Sequence, residues 1–362
     1  MRSRSRALVA LATTLTIAAG CTGGGGASSG DGKPFEGQTL RVATWGGDWG
    51  SNVENSVGKL FEEQTGATVE YVVGNPSDNL AKIIAAPEDA PPFDVMQMDS
   101  LTQEGLIEQG LIQPVDHSKL PVEDLFEDAV TTGEYGPAFT LVPVVIAWQP
   151  EKFDELGLEA PTSFDDLYVP ELRGRVAYPG MQVGFSPLIL AGLGEAWFGD
   201  KEAAEQTIEK IKEMEPRIYA ATPEMATWLT NGEVYAAITH TAQTQAMRNQ
   251  GFELSLVYPE AGEHRSMVYW NMANIVRGTP NKDLAEEWMR INLSCEGQEA
   301  FARTMGAVPT CKAANEAFAT DEELKTIAVT EEDMNAMFQT EPAFILEVRE
   351  EWNDIWNRIM GT

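Results

Sequence analysis

From residue 39 onward, runs that favour β-strands alternate with amphipathic runs of helical period. In the first third of the chain the strand-like runs are residues 40–44, 68–73 and 93–98, and the helical runs are residues 52–64, 76–86 and a run beginning at residue 100. Val53, Val57, Leu60 and Phe61 share one face of the first helical run. This βαβαβ alternation predicts a mostly parallel sheet with helices on both faces.

A second α/β series follows the first. Its predicted strands are residues 140–148, 175–178, 234–239, 254–258 and 267–276, and its predicted helices are residues 201–214, 223–229, 242–249, 284–292 and 298–304. Two long strand-like runs, 140–148 and 267–276, bracket this series, so we expect them to cross between two α/β lobes. The predicted first lobe is residues 37–140 plus 275–330, and the second is residues 141–274 with the crossings.

A helical tail is predicted for residues 331–362. Ile345, Val348, Trp352 and Trp356 recur there at helical spacing, which usually means that a helix docks on a core. A contact with another protein is the alternative.

The first 21 residues have the pattern of an export signal. Arg2, Arg4 and Arg6 precede a short apolar run, and small residues lead directly to Cys21. This resembles a bacterial lipoprotein signal, residues 1–20, with Cys21 as the acylated first residue of the mature chain. Residues 21–36, rich in Gly and Ser, are expected to be a flexible tether. An ordinary secretory signal is the alternative; the first interpretation places the protein outside the cytoplasm, lipid-anchored to the outer face of the cell membrane.

The charge of the chain excludes some partners. With 56 acidic against 25 basic residues, the net charge is −31. Nucleic acids and anionic lipids are therefore poor partners, whereas a cationic ligand is compatible with this charge. The acidity alone is equally typical of a solvated surface.

The cysteine and histidine content bears on disulfides and metals. Beyond Cys21 the chain contains only Cys295 and Cys311, which an oxidising exterior could join, although two free buried thiols are the alternative. The sequence has three histidines and neither a CxxC nor an HExxH motif. We therefore expect no metal site and no cofactor.

Several segments, taken in order, resemble one protein family. They are LRVATWGGDWG, KLFEEQTGATVEYV, FDVMQMDS, EGLIEQGLIQPVD, PTSFDDLYVPELRGRV, TPEMATWLTNGEVYAAI, LVYPEAGE, NKDLAEEWMRINLS and QEAFARTMGAVPT. Together they are similar to the extracellular solute-binding proteins of bacterial ABC importers, in the polyamine-binding branch with the type II fold. The resemblance implies a monomer with two lobes joined by two hinge crossings. It also implies a small-molecule ligand between the lobes, hinge closure, delivery to a membrane permease and no chemistry on the ligand.

The candidate ligand-binding residues lie where predicted strands end, because open α/β sheets bind ligands beyond the carboxyl ends of their strands. They are Trp45, Gly46, Gly47, Asp48, Asp99, Ser100, Gln182, Phe185, His240, Gln243, Tyr269, Trp270 and Asn271. Alternatives stay open for three of them. Trp45 could pack in a tight turn, Asp99 could serve only the helix dipole, and His240 could be purely structural. Ser100 and Gln103 have the spacing of a capping box.

The ligand class is predicted from departures from the polyamine-binding pattern. The carboxylates that hold ammonium groups in that branch correspond to Gly180, Val183 and Asn271, which carry no charge. A monoamine, an amino-acid-like zwitterion or a flat heterocycle such as thiamine therefore fits better than spermidine or putrescine, which are the alternative. A ligand carboxylate would need a cation, for which His240, Arg217 and Arg248 are the candidates.

Three other functions are possible on such a fold. A thiamine-cleaving enzyme on the same fold needs a cleft-facing thiolate beside a base, and neither Cys295 nor Cys311 has a histidine nearby in sequence. A glycosidase needs two carboxylates across a cleft, and no local arrangement singles out such a pair. We therefore expect no enzymatic activity. A sensor or adhesin that binds without transport stays open.

Overall fold

The computed structural model describes residues 33–130 and 133–361, so the predicted leader and Cys21 lie outside the described residues. The strands are Thr39–Thr44 (β1), Thr68–Val73 (β2), Val95–Asp99 (β3), Ile112–Gln113 (β4), Ala138–Trp148 (β5), Val176–Pro179 (β6), Arg217–Tyr219 (β7), Ala236–His240 (β8), Ser255–Val257 (β9), Glu260–Ala261 (β10), His264–Arg265 (β11), Val268–Val276 (β12) and Val308–Pro309 (β13).

The helices follow in the same order. They are Gly47–Val53 (α1), Lys59–Thr65 (α2), Pro76–Ala85 (α3), Ser100–Glu108 (α4), Pro150–Leu156 (α5), Ser186–Phe198 (α6), Ala204–Glu213 (α7), Thr222–Thr230 (α8), Thr241–Asn249 (α9), Lys282–Leu293 (α10), Cys295–Met305 (α11), Lys312–Ala319 (α12), Glu331–Ala336 (α13) and Pro342–Met360 (α14). A π-helical turn, Glu54–Gly58, joins α1 to α2, which extends the predicted first helix toward its N-terminus.

One path of hydrogen-bonded strands runs through the molecule in the order β2-β1-β3-β12-β5-β8-β6-β7. Strands β2, β1 and β3 are parallel, and so are β7, β6 and β8. Between these two groups, β12 and β5 are antiparallel to their neighbours. The prediction of a mixed α/β fold is confirmed.

Strand β5 takes part in both halves of the sheet. Its residues up to Pro143 pair with β12, and from Val144 onward they pair with β8. All of its residues are buried, which explains its continuous apolar sequence.

Two large apolar clusters lie on either side of this junction. The first core contains Phe61, Trp288 and Phe301, and the second core contains Tyr178, Ile189 and Trp356. Each half of the sheet is therefore stabilised largely by its own helices.

Helix α6 is the longest of several elements that were not predicted; the short helices α5 and α12 and the short strands β4, β7, β10, β11 and β13 are the others. Ser186 through Gly194 are all buried, so the helix is apolar on every face and lacks the period that marks an amphipathic helix. It packs closely on the start of β12, because a Cβ at Gly192 would lie only 2.6 Å from Cγ of Met267. This contact holds α6 beside the junction of the two halves.

The C-terminal helix α14 packs against α6 and α7 of the second half and also against α4 of the first. Trp352 and Trp356 are buried, and the Trp356 ring stacks on Tyr178 with centroids 5.8 Å apart. The apolar stripe of the tail therefore docks on the second core.

Cys295 and Cys311 form a disulfide, with their Cα atoms 5.3 Å apart. It joins the first residue of α11 to the residue that caps α12. In the part of the chain that the structure describes, no group of three or more His, Cys, Asp or Glu side chains could hold a metal ion. Nor is any helix there long and apolar enough to cross a membrane.

Candidate functional site

The strand register places four of the predicted residues on one face of the sheet. Asn271 lies opposite Asp99 of β3 and opposite Thr140 of β5. Farther along the same face of β5, Tyr269 lies opposite Val142, and His240 of β8 lies opposite Val144. Since directly opposed residues share a face and residues alternate along a strand, Asp99, Asn271, Tyr269 and His240 form one row across the junction.

Three aromatic rings meet at one end of this row. The Phe185 ring, at the N-terminus of α6, stacks on Tyr269 with centroids 5.8 Å apart and an interplanar angle of 11°. It also meets the His240 imidazole edge-on at 5.7 Å. We refer to Phe185, Tyr269 and His240 as the aromatic cluster.

His240 is neutral, and its tautomer is fixed by a backbone contact. It caps α9, because Nδ1 accepts a hydrogen bond from the backbone N–H of Gln243 at 3.3 Å. The ring proton is therefore on Nε2. Burial lowers the pKa of His240 from 6.5 to about 4. At neutral pH the ring offers a donor and an aromatic surface but no positive charge.

Asp99 serves as the cap of α4. Its carboxylate accepts hydrogen bonds from the Thr102 backbone N–H at 2.8 Å and from the Thr102 hydroxyl at 3.2 Å. The predicted capping box at Ser100 is therefore wrong: Ser100 is the first helical residue, and the Asp99 side chain reaches the free N–H group instead. Burial, and then the negative charge of Asp99, raise the pKa of Tyr269, so this carboxylate lies near the aromatic cluster.

The segment after β1 forms a second aromatic group. Trp45 is half-buried, and its ring meets Trp49 edge-on with centroids 5.0 Å apart. Gly47 begins α1 with φ of 64°, a left-handed conformation that favours glycine. Gly46, Gly47 and Asp48 are exposed beside it.

The turn between β6 and α6 brings Gln182 back over Gly180. The Ser186 hydroxyl donates to the carbonyls of Pro179 and Gly180 at 3.0 and 2.8 Å, and the backbone of Val183 donates to Gly180 at 2.9 Å. The exposed Gln182 amide fills the space beside Gly180: a Cβ added at Gly180 would lie only 2.7 Å from Oε1 of Gln182. Any side chain larger than that of glycine at position 180 would therefore displace this amide.

Trp270 is not brought together with the other predicted residues. It lies opposite Leu141, on the face away from Tyr269, and belongs to the first core. Its indole N–H donates to Oε1 of Gln339 at 3.3 Å. Alternation along β12 separates it from its two neighbours, and we leave it out of the proposed site.

The two candidate arginines are engaged elsewhere. Arg217 forms an ion pair with Glu233, and its guanidinium lies 4.3 Å from the centroid of the Trp228 ring. Arg248 donates to the Leu254 carbonyl at 2.9 Å and to the Thr326 hydroxyl at 3.1 Å. With His240 neutral, none of the three predicted cations is free to pair with a ligand carboxylate.

The sequence analysis missed Gln97. Its Oε1 accepts hydrogen bonds from the Thr44 hydroxyl at 2.6 Å and from the Trp49 indole N–H at 3.2 Å. The signal was available, because Gln97 is the one polar residue between methionines in an otherwise apolar stretch of β3.

Two surface cavities lie away from the row. One, of about 490 Å³, is lined by Cys295, Glu299 and Arg303. The other, of about 380 Å³, is lined by Ile84 and Arg277. Neither contains a predicted ligand residue.

Comparisons with known proteins identify the family. Residues 57–326 match the model of the bacterial extracellular solute-binding proteins. The gamma-aminobutyric acid-binding protein of Pseudomonas aeruginosa is 24% identical over 285 residues, covering 76% of this chain and 78% of that protein.

Solved structures share the fold. An ABC transporter protein from Clostridium perfringens is 27% identical, with a TM-score of 0.74 over 89% of this chain and 99% of that one. The spermidine/putrescine substrate-binding protein PotD from Streptococcus pneumoniae is 18% identical, with a TM-score of 0.71 over 89% and 98%. The fold is thus the two-lobe fold of periplasmic binding proteins. The chain belongs to the bacterial extracellular solute-binding proteins, the substrate-binding subunits of ABC transporters, which are receptors and not enzymes.

Proposed function

We propose that this receptor captures a small amine, either a monoamine or an amino-acid-like zwitterion, and delivers it to its permease. The observation that carries the proposal is the aromatic cluster with the Asp99 carboxylate near Tyr269. Aromatic faces attract an ammonium group, and one carboxylate balances one positive charge.

A doubly charged polyamine fits this arrangement less well. By the resemblance to the polyamine-binding branch, the positions whose acids hold ammonium groups there correspond to Gly180, Val183 and Asn271, none of which carries charge. A buried ammonium without a counter-charge is costly, so the second amine of putrescine or spermidine lacks a partner. Binding of spermidine or putrescine is the alternative function, and the similarity in fold to PotD supports keeping it in the test.

The relative that binds gamma-aminobutyric acid supports a ligand with one amine. Gamma-aminobutyrate carries one ammonium and one carboxylate on a short chain. It is therefore the first probe for this protein.

The lobes are proposed to be residues 37–140 with 275–330, and residues 141–274. The pairing of β5 with β12 on one side and with β8 on the other supports this division, because those strands would be the hinge crossings. The row of Asp99, Asn271, Tyr269 and His240 then lies where the lobes meet, so hinge closure would enclose a ligand there.

Membrane attachment is proposed to occur through acylated Cys21, with the monomeric receptor on the outer face of the cell membrane. The leader pattern in the sequence supports this. Labelling of the expressed protein with a palmitate analogue, followed by detergent phase partitioning, tests it. Labelling that is lost in Cys21→Ser supports the anchor, and equal labelling in both proteins contradicts it.

The ligand site is tested by thermal shift with gamma-aminobutyrate, n-butylamine, spermidine, putrescine and thiamine. A ligand at about 100 times its dissociation constant adds about 2.7 kcal/mol to the free energy of unfolding. We expect gamma-aminobutyrate or n-butylamine to raise the melting temperature, and Phe185→Ala to abolish most of that rise. Phe198→Ala is the matched control, because Phe198 is 46% exposed at the far end of the same helix. An unchanged response in Phe185→Ala would remove the aromatic cluster from the site.

A further inference from the structure

Gln97 lies at the ligand end of β3, although its side chain is almost fully buried. Thr44, the last residue of β1, and Trp49 of α1 both donate to its Oε1. It lies two residues before Asp99 on the same face of the strand, and it pairs across to Ala273, two residues beyond Asn271. The Gln97 amide therefore belongs to the layer from which Asp99 and Asn271 project.

The orientation of this amide is fixed by chemistry. An indole N–H can only donate, so the atom that faces Trp49 must be the carbonyl oxygen. The other arm of the amide, Nε2, is then a donor. It is buried, and it has no hydrogen-bond partner in the structure.

Buried donors without a partner are uncommon in proteins and call for an explanation. Trp288 Nε1 and Asn292 Nδ2 are also buried without a partner among the described residues, but only the Gln97 amide lies on the strand face that carries Asp99 and Asn271.

Three residues lie beside this amide in sequence or in contact. Trp45, which is half-buried, follows Thr44, and Trp49 fixes the orientation of the amide by its hydrogen bond. Asp99, two residues farther along β3, lies near the aromatic cluster. An acceptor oxygen on a bound ligand would satisfy this donor. None of His240, Arg217 and Arg248 offers a free positive charge for such an oxygen.

We infer that Gln97 is a specificity-determining residue whose Nε2 donates a hydrogen bond to an acceptor oxygen, such as a carboxylate, on the bound amine. The inference rests on the proposed function and narrows it from amines in general to amines that also carry an acceptor group. Recognition of the acceptor by a neutral amide also removes the need for a ligand-binding cation.

The first arm of the test compares two ligands in the unaltered purified protein by isothermal titration calorimetry. Gamma-aminobutyrate and n-butylamine share the amine and differ in the carboxylate. We expect gamma-aminobutyrate to bind at least about tenfold more tightly, as expected for a buried donor that regains its partner. Equal affinity for the two overturns the inference but leaves the proposed function standing. Binding of neither, with tight binding of spermidine, overturns both.

The second arm uses Gln97→Glu, which keeps an oxygen for Trp49 and replaces the donor arm by a second oxygen. We expect a loss of about tenfold or more in gamma-aminobutyrate affinity. Thr44→Val is the matched control, since it removes a hydrogen bond to Oε1 and leaves Nε2 in place. A purely structural role for the amide predicts equal losses in both variants, and that result, or no loss in Gln97→Glu, contradicts the inference. If Gln97→Glu does not fold, the ligand comparison in the unaltered protein decides the question.

Discussion

At the scale of single residues, two side chains of the proposed site are oriented by hydrogen bonds from backbone N–H groups three residues later in the chain. Asp99 caps α4 and His240 caps α9, and both also belong to the row proposed to bind the ligand. The capping contact fixes the orientation of the Asp99 carboxylate and the tautomer of His240. The structural and functional interpretations of these residues are therefore compatible, which the sequence pattern alone could not reveal.

His240 gives the protein a specific dependence of stability on pH. Its pKa is near 4 in the folded state, against 6.5 for an ordinary histidine, so the unfolded chain binds the proton more readily between these values. The free energy of unfolding should therefore fall as the pH decreases from 6.5 to 4, and the histidine contributes about 3 kcal/mol to this loss.

The measurement is urea denaturation across this pH range in the wild type and in His240→Asn, since asparagine can still cap α9. The variant should show a flatter profile. His264→Asn, a half-buried histidine outside the site, is the control. Parallel profiles for wild type and His240→Asn would contradict the account.

At the scale of elements, many segments with one buried face are predictable from their periods, although the short helices α5 and α12 were not predicted. Strands β1 and β2 and helices α3, α7 and α10 follow from their periods, and Pro76 begins α3 as its sequence suggests. Helix α6 was not predicted because it is buried on every face, so its sequence lacks the alternation of apolar and polar residues that marks an amphipathic helix. Trp270 was grouped with Tyr269 and Asn271 because no local sequence pattern indicates which face of an almost fully buried strand would meet a ligand.

The disulfide between Cys295 and Cys311 should stabilise the first half of the molecule, where it links α11 to α12. It closes a loop between residues 16 apart, which corresponds to about 3 kcal/mol. We expect the Cys295→Ser/Cys311→Ser double variant to lose about that much free energy of unfolding in urea. Addition of a reductant to the wild type should lower its midpoint similarly, and should leave the midpoint of the variant unchanged. A variant as stable as the oxidised wild type would contradict this.

Helix α14 should be essential to the second core. Trp356 is 1% exposed and stacks on Tyr178, so Trp356→Ala removes a large buried ring and should cost about 3–5 kcal/mol. Circular dichroism during urea unfolding measures this loss. Asn353→Ala, at an exposed position of the same helix, should change stability little. A loss of less than about 1 kcal/mol in Trp356→Ala would contradict the expectation that α14 is essential to the second core.

At the scale of the whole molecule, two halves with separate cores are joined by strands β5 and β12, which carry no charged residue. The family and the two-lobe fold were predictable because they depend on the order of many segments over the whole chain. Ligand chemistry depends on a few contacts, such as the hydrogen bonds of Gln97 and the ion pair of Arg217, which sequence order does not specify.

We propose that this receptor holds a ligand with one amine rather than a polyamine. The most direct test is a competition titration, in which gamma-aminobutyrate is injected into the protein in the presence of excess spermidine. Gamma-aminobutyrate should bind with the same dissociation constant with and without spermidine, because the proposed site has uncharged residues at Gly180, Val183 and Asn271. Displacement of gamma-aminobutyrate by spermidine, or binding of spermidine alone, would contradict it.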